Sequence, residues 1–308
     1  MRRALLLSLA VLLSGLLWLV WGLPSRGAVR ELARVNPSRT AVMRQREDEA
    51  QRAGRKPRHA QSWVPLSRVS RHLIHGVIAA EDQKFFGHEG VDWDAVKQSV
   101  EANRQAGRFA RGGSTITQQL AKNLFFSTHK SLARKVRELV AAYWLEQDLS
   151  KVRILELYLN VIEWGDGVYG CQAAALQYYG KPASSLDESE AAGLVAMIPN
   201  PRRINPRVNA ARHARATRRV LWLMAHGGYI RRELGGLGSE PPPPEPVEED
   251  EEPPPLAPEA TPSAEPVIEP TLEPTGPPTP EPSIEPTLPP AETPPPTPEP
   301  TPTPTTPP

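Results

Sequence analysis

Three features of this 308-residue chain could do chemistry: a carboxylate on an apolar stripe, a glycine pair opening a helix, and a knot of cations nearby. The carboxylate is Glu81. Leu73, Ile74, Val77 and Ile78 recur at helical spacing, and Glu81 continues their stripe one turn on, where a core leucine would be expected. An acid so placed finds partners or accepts a raised pKa, because desolvation disfavours its charged form, and that is how a general acid or base is made. The competing reading is an acid at a helix end, paired with a neighbouring Arg or Lys.

The glycine pair is Gly112-Gly113, where the backbone can approach something closely, followed by Ser114 and Thr115 as candidate helix caps. Free N–H groups at such a start suit a phosphate. Beyond it Thr115, Gln119 and Lys122 make a polar stripe at i, i+4 and i+7, and Ile116, Leu120 and Leu124 an apolar one beside it. One face is for the core and the other for a polar ligand. The cations are Arg134 and Lys135, with Glu138 one turn from Arg134, so that a plain surface ion pair is the competing reading there.

In order, Glu81-Asp82 with Phe85, His88 and Gly90, then GGSTITQQLAKN, RKVRE, KVRILELYLN and AAGLVAMIPNPRRINP resemble the peptidoglycan glycosyltransferases of family 51. More narrowly, the chain resembles the monofunctional biosynthetic transglycosylases, which lack a transpeptidase domain; the resemblance spans roughly residues 60 to 230. It implies a lysozyme-like all-α domain that polymerises lipid II into β-1,4-linked strands, inverting the donor's α-linkage and releasing a lipid diphosphate. It implies Glu81 as the base on the acceptor hydroxyl and Glu138 as the second acid, positioning the clamp residues or a cation. Asp82, Phe85, His88 and Gln119 join the substrate site on the same ground, with His88 ordering the loop after Glu81. Ser114, Thr115, Lys122, Lys130, Arg134 and Lys135 would hold the diphosphate, where charge develops on the leaving group. At Lys130 relatives commonly carry Arg, so a point charge stands here for a bidentate fork. No cofactor is singled out, and a divalent cation, magnesium or manganese, is a candidate at the diphosphate. The implied partners are lipid II, the growing strand, membrane lipid and other cell-wall synthesis proteins. A lytic lysozyme-like enzyme would not need the cations, and a non-catalytic anchored adaptor would not need Glu81.

These residues need a scaffold. From Ala4 to Leu23 the chain carries no charge, about the 20 residues that cross a bilayer as a helix, with Trp18 and Trp21 at an interface position. Ser25-Arg26-Gly27 is a poor cleavage site, which favours an uncleaved anchor over a signal peptide. Arg26, Arg30, Arg34 and Arg39 oppose a simple positive-inside count. The resemblance sets the orientation, single-pass with the catalytic domain on the outer, periplasmic side of the cytoplasmic membrane. Residues 26–62 read as a basic, partly helical stalk and 63–234 as the domain. Its expected helices cover 66–83, 92–105, 115–125, 131–147, 150–161, 168–179, 187–197 and 208–226. Leu132, Val136, Leu139, Val140 and Tyr143 form one core stripe and Ile154, Leu155, Tyr158 and Leu159 another.

From residue 235 the composition breaks. Residues 240–308 hold 14 Glu, Asp250, 29 of the 37 prolines and no Lys, Arg or His. Such a segment cannot bury enough apolar surface to fold and reads as a disordered tail. The net charge of +1 therefore divides into −15 on that tail and +16 on residues 1–239. A basic body behind an apolar anchor suits an anionic, membrane-held substrate and argues against nucleic acid. The single Cys171 excludes an intramolecular disulfide and reads as a small core residue. The seven histidines show no zinc-ligand spacing, and His72 and His75 read as surface or core residues.

Overall fold

The computed structural model describes residues 2–106, 113–129 and 131–230; Gly112, Lys130 and the expected tail 235–308 lie outside the described residues. The apolar run forms helix α1, Arg2–Trp21. With its continuation to Glu31 it gives the one span among the described residues that is long and apolar enough to cross a membrane, Ser8–Glu31, mean hydropathy 1.7. Helices α2 (Arg26–Glu31) and α3 (Ala41–Arg52) follow, then a two-residue strand β1, Ala60–Gln61.

The stretch 26–62, expected as a stalk, is docked on the rest of the molecule. Val29 of α2 and Met43 of α3 are fully buried in the main hydrophobic core. Arg46 of α3 bonds Glu163 at 3.0 Å, and Arg153 donates to the Leu32 carbonyl at 2.8 Å and to Asn36 Oδ1 at 2.7 Å. The buried positions here are single apolar residues among arginines, so they make no stripe for a periodicity argument to find.

The helices expected from 66 onward are present with shifted ends. The first is broken into a 3₁₀ turn at Leu66–Arg68 and α4, Arg71–Glu81, because Ser70 turns inward, capping α4 at His72 N and donating to the Leu186 carbonyl at 2.7 Å. Next come α5 (Trp93–Ala106), α6 (Ile116–Phe125), α7 (Leu132–Asp148) and α8 (Lys151–Val161). Residues 168–169, expected to open a helix, instead form strand β3 (Val168–Tyr169). It pairs antiparallel with β2 (Glu163–Gly165) and parallel with β1, with Ala60 opposite Val168. Helices α9 (Cys171–Tyr179), α10 (Glu188–Val195) and α11 (Ala210–His226) complete an all-α architecture with this small three-stranded ribbon.

Trp164, Tyr158, Tyr169, Phe85, Met43 and Leu73 are the largest side chains with no solvent access. The stripe of α8 is buried as expected, and Cys171 is a buried core thiol whose pKa burial pushes up to about 12. The stripe expected on α7 is not buried. Leu132 is 89% exposed, Val136 and Tyr143 are exposed too, and the inner face carries Glu138, Ala141, Ala142 and Leu145. Small alanines let α6 lie close against α7, and the ionic group of Glu138 takes the place a core leucine would have filled.

The end of α1 meets α7. Arg137 donates to the carbonyls of Leu19 at 3.0 Å and Trp18 at 2.6 Å, and its guanidinium lies 4.3 Å from the centre of the Trp18 ring. Further along α7, Asp148 receives Arg26 at 3.1 Å and Arg30 at 3.4 Å.

Candidate active site

Helix α4 delivers Glu81 at its last position. Leu73, Val77 and Ile78 are buried beneath it, while Glu81 itself is half-buried. Its Oε2 receives a hydrogen bond from Gln119 Nε2 at 2.7 Å, and its Oε1 takes none from any described residue. A neutral amide is thus its hydrogen-bonded partner, and no described residue forms an ion pair with it. Desolvation raises its pKa above the ordinary glutamate value, the neighbouring Asp82 adds to the rise, and Gln119 and the Lys122 ammonium oppose it.

The loop after α4 is locked by its own side chains. Gly90 N–H donates to His88 Nδ1 at 3.1 Å, so Nε2 carries the proton, and it lies 3.0 Å from both Asp82 oxygens. Asp82 Oδ2 also accepts the Ile116 N–H at 3.1 Å, at the start of α6. The Thr115 hydroxyl donates to the Gly90 carbonyl at 2.6 Å and accepts the Gln118 N–H at 3.2 Å. Gly90 has φ +87°, a conformation that favours glycine at this bend. His88 thus bridges Asp82 and the loop backbone at Gly90, ordering the loop after Glu81.

Two expectations are corrected here. The start of α6 is not an open phosphate site: Asp82 and Thr115 already take two of its first N–H groups, and Thr115 is buried, so of the pair only Ser114 faces the cations. Phe85 does not line the site. Its ring is in the core with Lys151 Nζ 4.6 Å from its centre, and it supports the loop from beneath. The close approach expected at the glycine pair is made by Gly113 against α5, since a Cβ there would lie 3.1 Å from Ser99 Oγ and 3.3 Å from Val96 Cα.

The cationic group forms on the facing sides of α6 and α7. Glu138 is 3% exposed; Arg134 Nη1 donates to its Oε2 at 2.7 Å and Lys135 Nζ to its Oε1 at 2.8 Å. Arg134 and Glu138 do pair across one helical turn, but inside the fold. Lys135 also reaches Ser114 Oγ at 2.9 Å and Gln118 Oε1 at 3.0 Å, and Arg134 Nε donates to the His129 carbonyl at 2.6 Å. Lys122 stands between this group and Glu81 with no hydrogen bond to a described side chain. Burial lowers its pKa, as do Arg134 and Lys135, while Glu138 and Glu81 oppose the fall. Glu81, Asp82, Gln119, Lys122, Ser114, Arg134, Lys135 and Glu138 are thus brought together.

Both Glu138 oxygens are held by cations, and no three His, Cys, Asp or Glu side chains converge among the described residues. This donor set does not fit a divalent cation. Sequence reasoning missed Gln118 and Tyr158; the Tyr158 hydroxyl donates to Gln119 Oε1 at 2.9 Å. A tyrosine on a core stripe was the available signal, because a buried phenol needs a partner.

A family profile described as Transglycosylase matches residues 47–225. The chain is 47% identical over 224 residues to a protein of Azoarcus sp. (strain BH72) named biosynthetic peptidoglycan transglycosylase, covering 71% of this chain and 94% of that one. It is 49% identical over 196 residues to one of the same name from Dechloromonas aromatica (strain RCB), covering 63% and 85%. A third, from Methylobacillus flagellatus, is 52% identical over 167 residues, covering 54% and 73%.

Proposed function

The chain belongs to the transglycosylase family, and from that premise we propose that it is a membrane-anchored peptidoglycan glycosyltransferase whose general base is Glu81. The observation that carries the reading is the contrast between one carboxylate with no ion pair to any described residue and an adjoining cluster of three cations around a single acid.

The reaction joins a sugar 4-hydroxyl to an anomeric carbon whose leaving group is a lipid diphosphate. Glu81 Oε1, which no described residue hydrogen-bonds, takes the hydroxyl proton as the oxygen attacks, while Gln119 holds Oε2 still. The new C–O bond forms as the bond to the diphosphate breaks, and attack from the opposite face turns the α-linkage into β-1,4. Lys122, Arg134 and Lys135, with Ser114, face the oxygens on which negative charge develops, and preorganised cations there lower the barrier. Glu138 holds Arg134 and Lys135 in place, and Asp82 and His88 fix the loop next to the base. The substrates are lipid II and the growing strand. Residues 1–25 supply the anchor, with the domain on the outer face of the cytoplasmic membrane.

The test is a gel of products from purified full-length protein. Ladders of glycan made from lipid II, lost in Glu81→Gln, support the reading. Fragments made from cell wall point to a lytic enzyme, and no product from either overturns the assignment.

A further inference from the structure

Tyr158 lies on α8 with no solvent access, and its hydroxyl reaches Gln119 Oε1, whose amide nitrogen in turn reaches Glu81. A glutamine amide has two unlike ends, and turning it over would present an oxygen to the Glu81 carboxylate in place of a donor. Burial, with Glu81 and Asp82 nearby, pushes the Tyr158 phenol up, so it stays protonated and must donate. In a dry interior its hydrogen needs an acceptor, and Gln119 Oε1 is the one it has. If the amide turned over, its N–H would face the phenol and the phenol's own hydrogen would be left unpaired. The orientation of Gln119 is thereby set from behind.

We infer that Tyr158 is a positioning residue for the reaction: through Gln119 it keeps Glu81 in the carboxylate form that can accept a proton. This rests on the reading of Glu81 as the base. The other charges bearing on Glu81 are Lys122 of α6, which favours the carboxylate, and Asp82 of its own segment, which opposes it and is itself held by His88. Neither makes a side-chain hydrogen bond to Gln119 or Tyr158 among the described residues, so removing the phenol oxygen alters one hydrogen-bonded contact behind Glu81 and leaves the others.

The experiment is the pH dependence of lipid II polymerisation by full-length wild type, Tyr158→Phe, Gln119→Leu and the double variant, with Glu81→Gln alongside. Phenylalanine keeps the ring and removes the donor. The acid limb of Tyr158→Phe should move up by about half a unit to one unit, the worth of one hydrogen bond, making it roughly three- to tenfold slower on that limb. Its rate should approach wild type at high pH, and its KM should be unchanged. In the Gln119→Leu background the same substitution should move the limb no further. A limb that stays at the wild-type pH, or an equal shift with and without Gln119, overturns the inference while an inactive Glu81→Gln leaves the base assignment standing. An active Glu81→Gln ends both.

Discussion

Two glutamates that act electrostatically on the same lysine, Lys122, have opposite surroundings. Glu81 meets one neutral amide, with an oxygen free of described donors, whereas Glu138 has a cation on each oxygen. A carboxylate partly withdrawn from water and held by a neutral amide gains affinity for a proton, as Glu81 does, whereas Glu138 is tied into a buried ionic group as the counter-charge of Arg134 and Lys135. On the proposed function, the same side chain is thus the base in one place and a structural counter-charge in the other. Lys122 lies between the two and feels both, since each glutamate favours its charged form against the cost of burial.

The hardest test of that contrast is Glu81→Gln. Polymerisation should fall on the order of 100-fold or more, as expected for loss of a general base. Stability should move the other way. The folded pKa of Glu81 is raised, so its ionisation works against folding at neutral pH, and that cost disappears once the group is protonated in both states, below the unfolded value near 4.5. The Gln variant should therefore melt above wild type at pH 7, by a margin that closes below pH 4.5. Melting curves at the two pH values read this directly, and a lower melting temperature at pH 7 would contradict it.

Glu138→Gln should do the reverse, costing stability first. Breaking a buried ionic group leaves Arg134 and Lys135 without their counter-charge, a loss on the order of 3 kcal/mol, seen as a melting temperature lower by roughly 5–10 °C. Glu138 also helps to keep Lys122 protonated, so its removal should shift the alkaline limb of the rate profile to lower pH. Unchanged melting and an unmoved limb would make the two glutamates alike after all.

Lys122→Ala should slow polymerisation about tenfold at low salt, and the gap to wild type should narrow as salt is added, because part of the lost attraction to the diphosphate is screened. Normal activity at low salt would reduce Lys122 to a bystander of both glutamates. The smallest effect is expected outside the site. A chain ending at residue 234 should melt within about a degree of the full one, because a segment so poor in apolar residues adds little packing.

The Glu81 side of the comparison was more legible in the sequence than the Glu138 side. An acid continuing the Leu73–Ile78 stripe is a local signal, and Gln119 and Lys122 share a helical face because they are three residues apart. The α7 stripe misled for a physical reason. Leu132, Val136 and Tyr143 have the spacing of a core face, but the ionic cluster fixes the opposite face inward, and periodicity cannot say which side of a helix the rest of the chain covers. Thr115 and the helix start were legible as a cap but not as an occupied one, because Asp82, 34 residues earlier, takes the Ile116 N–H. The inward packing of residues 26–62 rests likewise on long-range partners such as Glu163 and Arg153.

The contact of Arg137 with the end of α1 has a consequence for distance. The last carbonyls of a helix ordinarily need water, but those of Trp18 and Leu19 are met by a guanidinium at the negative end of the helix dipole. That end can therefore sit at a depth where an uncapped one would be starved of partners. Arg137 is three residues from Arg134 on one rigid helix, about 4.5 Å along its axis at 1.5 Å per residue. The anchor and the cationic cluster are thus two marks on one ruler. On the proposed function, the height at which the diphosphate is gripped above the apolar layer would be set by the register of α1 against α7, and sliding α1 by one turn would move the grip by the same amount.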